Sequence, residues 1–246
     1  MAARPAGEET GVFDFFTETP LKRPVRGEVD FRPIDVDFGT TIQEFHIGMG
    51  AVATPGAVAG IFEVHRALGR MPMTAIVEPA VELAKSGIQV NAFQAYLLGI
   101  VGPIYTASAS ARALFCRDGE NQLLRGGDLY HPKPFADFLE ALAVEGADLF
   151  YLGDVAARIS GMDGVTIGRD DLSRYKVARR KPLHSRVNGH DVFLNPPPAI
   201  GGGDRAMNVE DPIEIGNHNR RLPTPPLPTG AYSLSQREAR PLHHRH

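Results

Sequence analysis

Met49-Gly50-Ala51-Val52-Ala53-Thr54-Pro55-Gly56-Ala57-Val58-Ala59-Gly60-Ile61-Phe62-Glu63-Val64-His65-Arg66-Ala67-Leu68-Gly69 changes character at Pro55-Gly56. Before it, Met49 to Thr54 reads as a short buried strand. After it, Val58, Ile61, Phe62, His65 and Leu68 fall on one helical stripe, with Pro55 near the first turn and Gly69 as the stop. His65 lies on that apolar face and is read as a hydrogen-bonded core histidine rather than a proton shuttle.

The pattern repeats downstream. Met73 to Val77 reads as a short helical turn. Pro79 opens another helix carrying Ala80, Leu83 and Ala84, and Gly87 closes it. Asn91 with Gln94 three positions later has the form of a capping box and predicts a helix from Ala92 to Val101, broken by Gly102-Pro103. Tyr105 to Tyr130 reads as loop, with turn chemistry at Arg117-Asp118-Gly119-Glu120-Asn121 and Arg125-Gly126-Gly127-Asp128. Those acidic residues lack the spacing of a calcium loop. Pro134 opens a helix with Phe135, Phe138, Leu139 and Leu142 on one face and Gly146 at its end. A further helix covers Gly153 to Ser160, and Asp170-Asp171 marks the first turn of a short one, where negative charge suits the dipole.

Beyond Tyr175 the period changes to two. Lys176 to Val187 and His190 to Asn195 read as strands joined by Asn188-Gly189, the pair that suits a type I′ turn. The expected class is therefore α+β, mostly helical, with a C-terminal β-hairpin.

Upstream, residues 1–48 read as loop-rich. Positions 17–48 hold three prolines and several charges, with short extended pieces such as Thr40-Thr41-Ile42. Glu44-Phe45-His46 sets a carboxylate beside an imidazole, and a metal site would need a further ligand. One expectation worth testing is a metal-dependent enzyme built on Glu44, His46, His65 and His131. The favoured reading has no metal and no cofactor.

At 246 residues the chain fits one domain or a large part of one, and 43% hydrophobic content suffices for a core. A net charge of −3 and a pI near 6.3 argue against a nucleic-acid surface. No apolar run of membrane-spanning length is present. Met1-Ala2-Ala3-Arg4-Pro5 has no apolar segment after the arginine, so no secretion signal is read, and a cytoplasmic location is expected. The single cysteine, Cys116, has no partner for a disulfide or zinc pair and is read as inert packing.

These blocks, in order, resemble the γ-glutamyltransferase (glutathione hydrolase) family. The strand–PG–helix unit is similar to Val52 through Ile61. The next helices resemble Gly69-Arg70-Met71-Pro72 through Glu78-Pro79-Ala80, then Leu83-Ala84 and Gly87. Glu145-Gly146-Ala147-Asp148-Leu149-Phe150-Tyr151-Leu152-Gly153 is similar to the family's EGAD-x-FY-x-G. Asp171-Leu172-Ser173-Arg174-Tyr175 resembles its DL-x-x-Y, followed by Lys181-Pro182-Leu183 and the hairpin. Asn195-Pro196-Pro197-Pro198-Ala199-Ile200-Gly201-Gly202 closes the series. The resemblance runs from Gly50 to Gly203, within a large-subunit-like region at 49–203.

The resemblance implies part of an N-terminal nucleophile hydrolase, an αββα sandwich. In that family the precursor cleaves itself, and a new N-terminal threonine attacks the amide with its own amine as base. Backbone amides hold the oxyanion. Substrates would be γ-glutamyl compounds or related amides.

Two departures follow. The family arginine that holds the γ-glutamyl α-carboxylate falls on Phe16 or Thr17, within Asp14-Phe15-Phe16-Thr17-Glu18-Thr19-Pro20. Lys22 and Arg23 lie on the wrong side of Pro20. Neither Phe nor Thr replaces a bidentate guanidinium, so a related acylase of other specificity is an alternative. The nucleophilic threonine is also not found. Thr224 and Thr229, the threonines after Gly203, lie among Pro223, Pro225, Pro226 and Pro228.

Residues 204–246 hold six Arg, no Lys, six Pro and four His. A natural disordered tail and an out-of-frame product both fit this composition. His243-His244-Arg245-His246 is read as a floppy terminus, and Gly201-Gly202-Gly203 lacks the Lys and Ser/Thr of a P-loop. The expectation is an inactive fragment that does not process itself. Its partner would be a missing small subunit or nucleophile-bearing half, or the chain would be a non-catalytic scaffold for one. It is also expected to be marginally folded alone, with the Val58/Ile61/Phe62 and Phe135/Phe138/Leu142 faces covering each other.

Overall fold

The computed structural model describes residues 2–3, 10–22, 29–117, 121–187 and 189–197. Asn188, the 198–203 glycine block and all of 204–246, with Thr224, Thr229 and the terminal histidines, lie outside them.

The N-terminal part corrects the loop-rich expectation. Strand β2 (Gly11–Asp14) lies between β1 (Ala2–Ala3) and β7 (Ala178–Arg180) in an antiparallel sheet, with Val12 opposite Arg180 and Asp14 opposite Ala178. Val12 and Phe13 are buried. Strands β3 (Arg32–Asp37) and β4 (Ile42–Ile47) form a second antiparallel pair. The charges hide an alternation in Ile34, Val36 and Phe45, and Val36 is fully buried. Pro33 is tolerated because the pair has open edges.

Met49 to Thr54 is not a strand. Met49–Ala51 is one turn of 3-10 helix after Gly48, whose φ is 106°. Gly50 N–H donates to the Asp30 carbonyl at 2.9 Å. Only Thr54 keeps extended pairing, exchanging backbone hydrogen bonds of 3.1 and 2.7 Å with Glu18.

Helix α1 (Ala57–Leu68) follows with Gly56 as N-cap and Gly69 as C-cap. Its buried face is rotated from the expected stripe. Ile61 is 56% exposed, while Gly60 is buried. The cause is Phe15, whose ring occupies the space a Gly60 side chain would take.

Helix α2 (Met73–Ser86) is continuous and contains Pro79, where two helices were expected. Its buried side chains are Met73, Val81 and Ala84, whereas Leu83 is exposed. Val81 and Ala84 form a small core with Ala136, flanked by Val77 and Leu139. That packing offsets the hydrogen bond which proline forfeits inside a helix.

Strand β5 (Ile88–Gln89) pairs with β6 (Leu129–Tyr130). Between them stand α3 (Ala92–Ile100), α4 (Gly102–Tyr105) and α5 (Ala109–Phe115). The Asn91 capping box is formed in full, with hydrogen bonds of 2.8 and 2.9 Å. Helix α5 corrects the loop reading of 105–130. Its signal was Ser108, whose hydroxyl caps Ala111 N–H at 3.1 Å.

Helix α6 (Lys133–Glu145) has Pro134 in its first turn and ends at Gly146. It packs along α2, not against α1 as anticipated. Ala136 and Leu142 are buried, and Phe135 is 53% exposed.

Short helices α7 (Asp148–Tyr151), α8 (Asp154–Ser160) and α9 (Arg169–Arg174) surround the main core of Tyr151, Ala156, Ile167, Leu172 and Tyr175. The expected strand 176–187 divides at Lys181-Pro182. Strand β7 joins β2, while β8 (Leu183–Val187) pairs with β9 (His190–Leu194), Val187 opposite His190. Gly189 has φ 81°, as the turn requires.

Candidate functional site

The segment Asp14–Glu18 is held from four sides. Tyr175 hydroxyl donates to the Phe16 carbonyl at 2.8 Å. Asp14 accepts from Phe16 N–H at 3.1 Å and pairs with Arg180. Glu18 is bridged to Thr54. Beyond it, Leu21 N–H donates to Asp171 Oδ1 at 2.6 Å.

The supports are themselves interlocked. Tyr151 hydroxyl donates to the Pro55 carbonyl at 2.7 Å and accepts from Ala59 N–H at 3.1 Å, which fixes the entry to α1. Tyr151 and Tyr175 rings stack at 5.7 Å. Asp171 Oδ2 also accepts from Gly168 N–H at 2.6 Å, capping α9. A side chain at Gly56 would meet Tyr175 Oη at 1.9 Å and the Phe15 carbonyl at 2.2 Å, so glycine is required there.

Burial pushes the Tyr175 phenol up to about 12, reinforced by the neighbouring Tyr151, Glu18 and Asp14. Burial also raises Tyr151, against the Ala59 hydrogen bond. Both therefore remain protonated donors at neutral pH. Tyr151, Asp171 and Tyr175 belong to the EGAD-x-FY-x-G and DL-x-x-Y blocks, and in the fold they position residues 14–21. Their partners lie far away in sequence, so no local signal exists.

Within this frame Phe16 is 58% exposed and Thr17 is exposed. Among the described residues, Arg179 and Arg180 of the neighbouring strand are committed elsewhere. Arg179 stacks over the Phe13 ring at 3.5 Å and pairs with Glu63 at 2.9 Å, and Arg180 pairs with Asp14. Glu63 is held below the usual carboxylate range by Arg66 first and Arg179 second.

The residues of the metal reading do not converge. His46 lies 3.7 Å from Glu44 on β4 and stacks on Phe31, and His65 Nε2 contacts the Met71 carbonyl at 2.7 Å. Among the described residues no group of three or more His, Cys, Asp or Glu side chains could hold a metal ion. Cys116 is buried. Among the same residues no helix is long and apolar enough to cross a membrane.

A helical layer around short antiparallel sheets is the fold of the N-terminal nucleophile hydrolase class. The Helicobacter pylori gamma-glutamyltranspeptidase crystal structure superposes with a TM-score of 0.69 at 26% identity, covering 84% of this chain and 58% of that one. The gamma-glutamyltranspeptidase family model matches residues 31–208, and the chain belongs to that family of enzymes. The match begins before Gly50 and takes in the β3–β4 pair. The glutathione hydrolase proenzyme of Escherichia coli is 35% identical over 156 residues, 62% of this chain and 27% of that protein. The capsule biosynthesis protein CapD proenzyme of Bacillus anthracis is 33% identical over 174 residues, 70% of this chain and 30% of that protein. The chain thus spans under a third of the length of these two curated relatives.

Proposed function

We propose that this chain supplies scaffold to an amide acyltransferase or hydrolase whose acyl group is not γ-glutamyl. The nucleophile, on this reading, belongs to a separate segment or subunit. The observation that carries the reading is the pinned 14–18 segment. Its main chain is fixed by Tyr175, Thr54 and Asp14, and on the sequence resemblance Phe16 or Thr17 takes the position of the family's guanidinium.

An α-carboxylate brought to Phe16 and Thr17 meets a ring and a single hydroxyl. A bidentate arginine contact is roughly twice as strong as a neutral hydrogen bond and fixes orientation as well. Without it, glutamate's α-carboxylate gains little over an uncharged acyl chain.

The test uses the purified chain alone and co-expressed with the small subunit of a relative. Substrates are γ-glutamyl-p-nitroanilide and butanoyl-p-nitroanilide, which lacks the α-amine and α-carboxylate. The chain alone is expected to release no more nitroaniline than a boiled control. The assembled protein is expected to favour the butanoyl substrate, and Phe16→Arg or Thr17→Arg to shift preference toward γ-glutamyl. Preferred γ-glutamyl turnover by the unaltered assembly would overturn the specificity reading, and turnover by the repurified chain alone would overturn the scaffold reading.

A further inference from the structure

Helices α3, α4 and α5 and the β5–β6 pair line a pocket of about 310 Å³. This lies at the lower end of the range for small-molecule sites. Leu97, Leu98 and Val101 supply an aliphatic wall. Tyr105, Phe115 and Tyr130 add an aromatic wall. Tyr105 stacks on Phe115 at 4.1 Å, and Phe115 on Tyr130 at 6.4 Å, with interplanar angles of 21° and 14°.

Polar groups are few. Tyr105, Tyr130 and Gln94 also line the pocket. Gln94 Oε1 is taken by the α3 capping box, which leaves its amide N–H groups as donors. Among the described residues neither Tyr105 nor Tyr130 makes a side-chain hydrogen bond. Burial and the nearby Tyr105 both raise the Tyr130 phenol, so it stays neutral at ordinary pH.

Flat walls, a mouth open to solvent and two unpaired phenols suit a planar ring with one hydrogen-bonding substituent. We infer that this pocket binds a small planar aromatic molecule bearing a hydroxyl or amide group, stacked beside Tyr105 and Phe115 and hydrogen-bonded by Tyr105 or Tyr130. The site is separate from the pinned 14–21 segment and does not depend on the acyl specificity proposed above.

The test is a titration of the full chain with 2-naphthol. The chain contains no tryptophan, so naphthol fluorescence excited beyond the tyrosine band is free of protein background. Saturable binding at one site is expected, with a dissociation constant on the order of 100 µM for a ligand of this size. Leu98→Phe and Val101→Phe fill the pocket and should each weaken binding about tenfold or more, with far-UV circular dichroism showing that helix content is kept. The pair Tyr105→Phe and Tyr130→Phe should weaken 2-naphthol severalfold and leave naphthalene unchanged. Non-saturable uptake, unchanged affinity in folded pocket-filling variants, or equal loss of naphthol and naphthalene in the tyrosine pair would each overturn the proposal.

Discussion

The Tyr175 hydroxyl donates to the Phe16 carbonyl at 2.8 Å across 159 positions of sequence. It joins the end of α9 to the segment that follows β2, and so ties the core to the candidate acyl-binding residues. Tyr175→Phe keeps the stacking on Tyr151 and removes only the donor. The expected cost is about 1 kcal/mol, read as a lower midpoint in urea unfolding with an unchanged slope.

The same phenol makes stability fall in alkali. Its folded value, pushed up to about 12, exceeds the unfolded one. The unfolded chain therefore releases its proton first. The contribution is complete below about pH 10 and is lost as pH rises toward 12. Thermal melts of the native chain should weaken over that window, and Tyr175→Phe should flatten the slope. Tyr151, raised in the same direction, leaves part of it.

Two glycines should respond in opposite ways to alanine. At Gly56 the new methyl meets Tyr175 Oη and the Phe15 backbone carbonyl, neither of which can yield without moving the core. Gly56→Ala is expected to destabilise by more than about 2 kcal/mol. At Gly99, inside α3, nothing lies within 4 Å. Gly99→Ala is expected to stabilise by roughly 0.5–1 kcal/mol through the unfolded chain. Paired denaturation curves give both signs in one experiment.

In acid, the turn at Asp128 is the group to watch. Asp128 is held at about 2, first by its pairing with Arg117 and then by Arg125 N–H at 2.7 Å. Its contribution is complete above the unfolded carboxylate value near 4 and is lost as pH falls toward 2. Between neutrality and pH 4 this contribution should leave the melting temperature flat, with a decline below pH 4, and Asp128→Asn should reduce the decline while lowering stability at neutral pH.

Pro79 sits inside the continuous helix α2 and denies it a backbone donor. Since α2 is held by Val81 and Ala84 against Ala136, the helix persists with that hydrogen bond missing. Pro79→Ala should stabilise the chain, by up to about 3 kcal/mol. An unchanged or lowered midpoint would show that the surrounding packing requires the proline ring.

Local chemistry was legible in the sequence. The Asn91–Gln94 capping box, the start of α6 at Pro134, the acidic first turn of α9 and the β8–β9 register all depend on neighbours a few residues apart. What could not be seen depends on distant partners. Ile61 is outside the core because Phe15 arrives from the strand side and claims Gly60. Within residues 1–48, β2 read as loop because its long-range partner is β7, whereas β3 and β4 pair locally and were hidden by the charges between their apolar residues. Pro79 signals a helix start by propensity, and only α6 packing overrides it. The candidate segment was found through Phe16 and Thr17, but the tyrosines that hold it acquired a role only once the chain was folded.

The pairing of Val12 with Arg180 sets a timetable for synthesis. At ribosomal rates of roughly 5–20 residues per second, the later strand emerges about 8–34 s after the earlier one. For that interval Val12 and Phe13, which end up buried, belong to a strand with an open hydrogen-bonding edge. Nascent chains should therefore be sensitive to chaperone capture around Val12 and Phe13, and translation pauses placed before residue 178 should lower the yield of folded protein more than pauses placed after it.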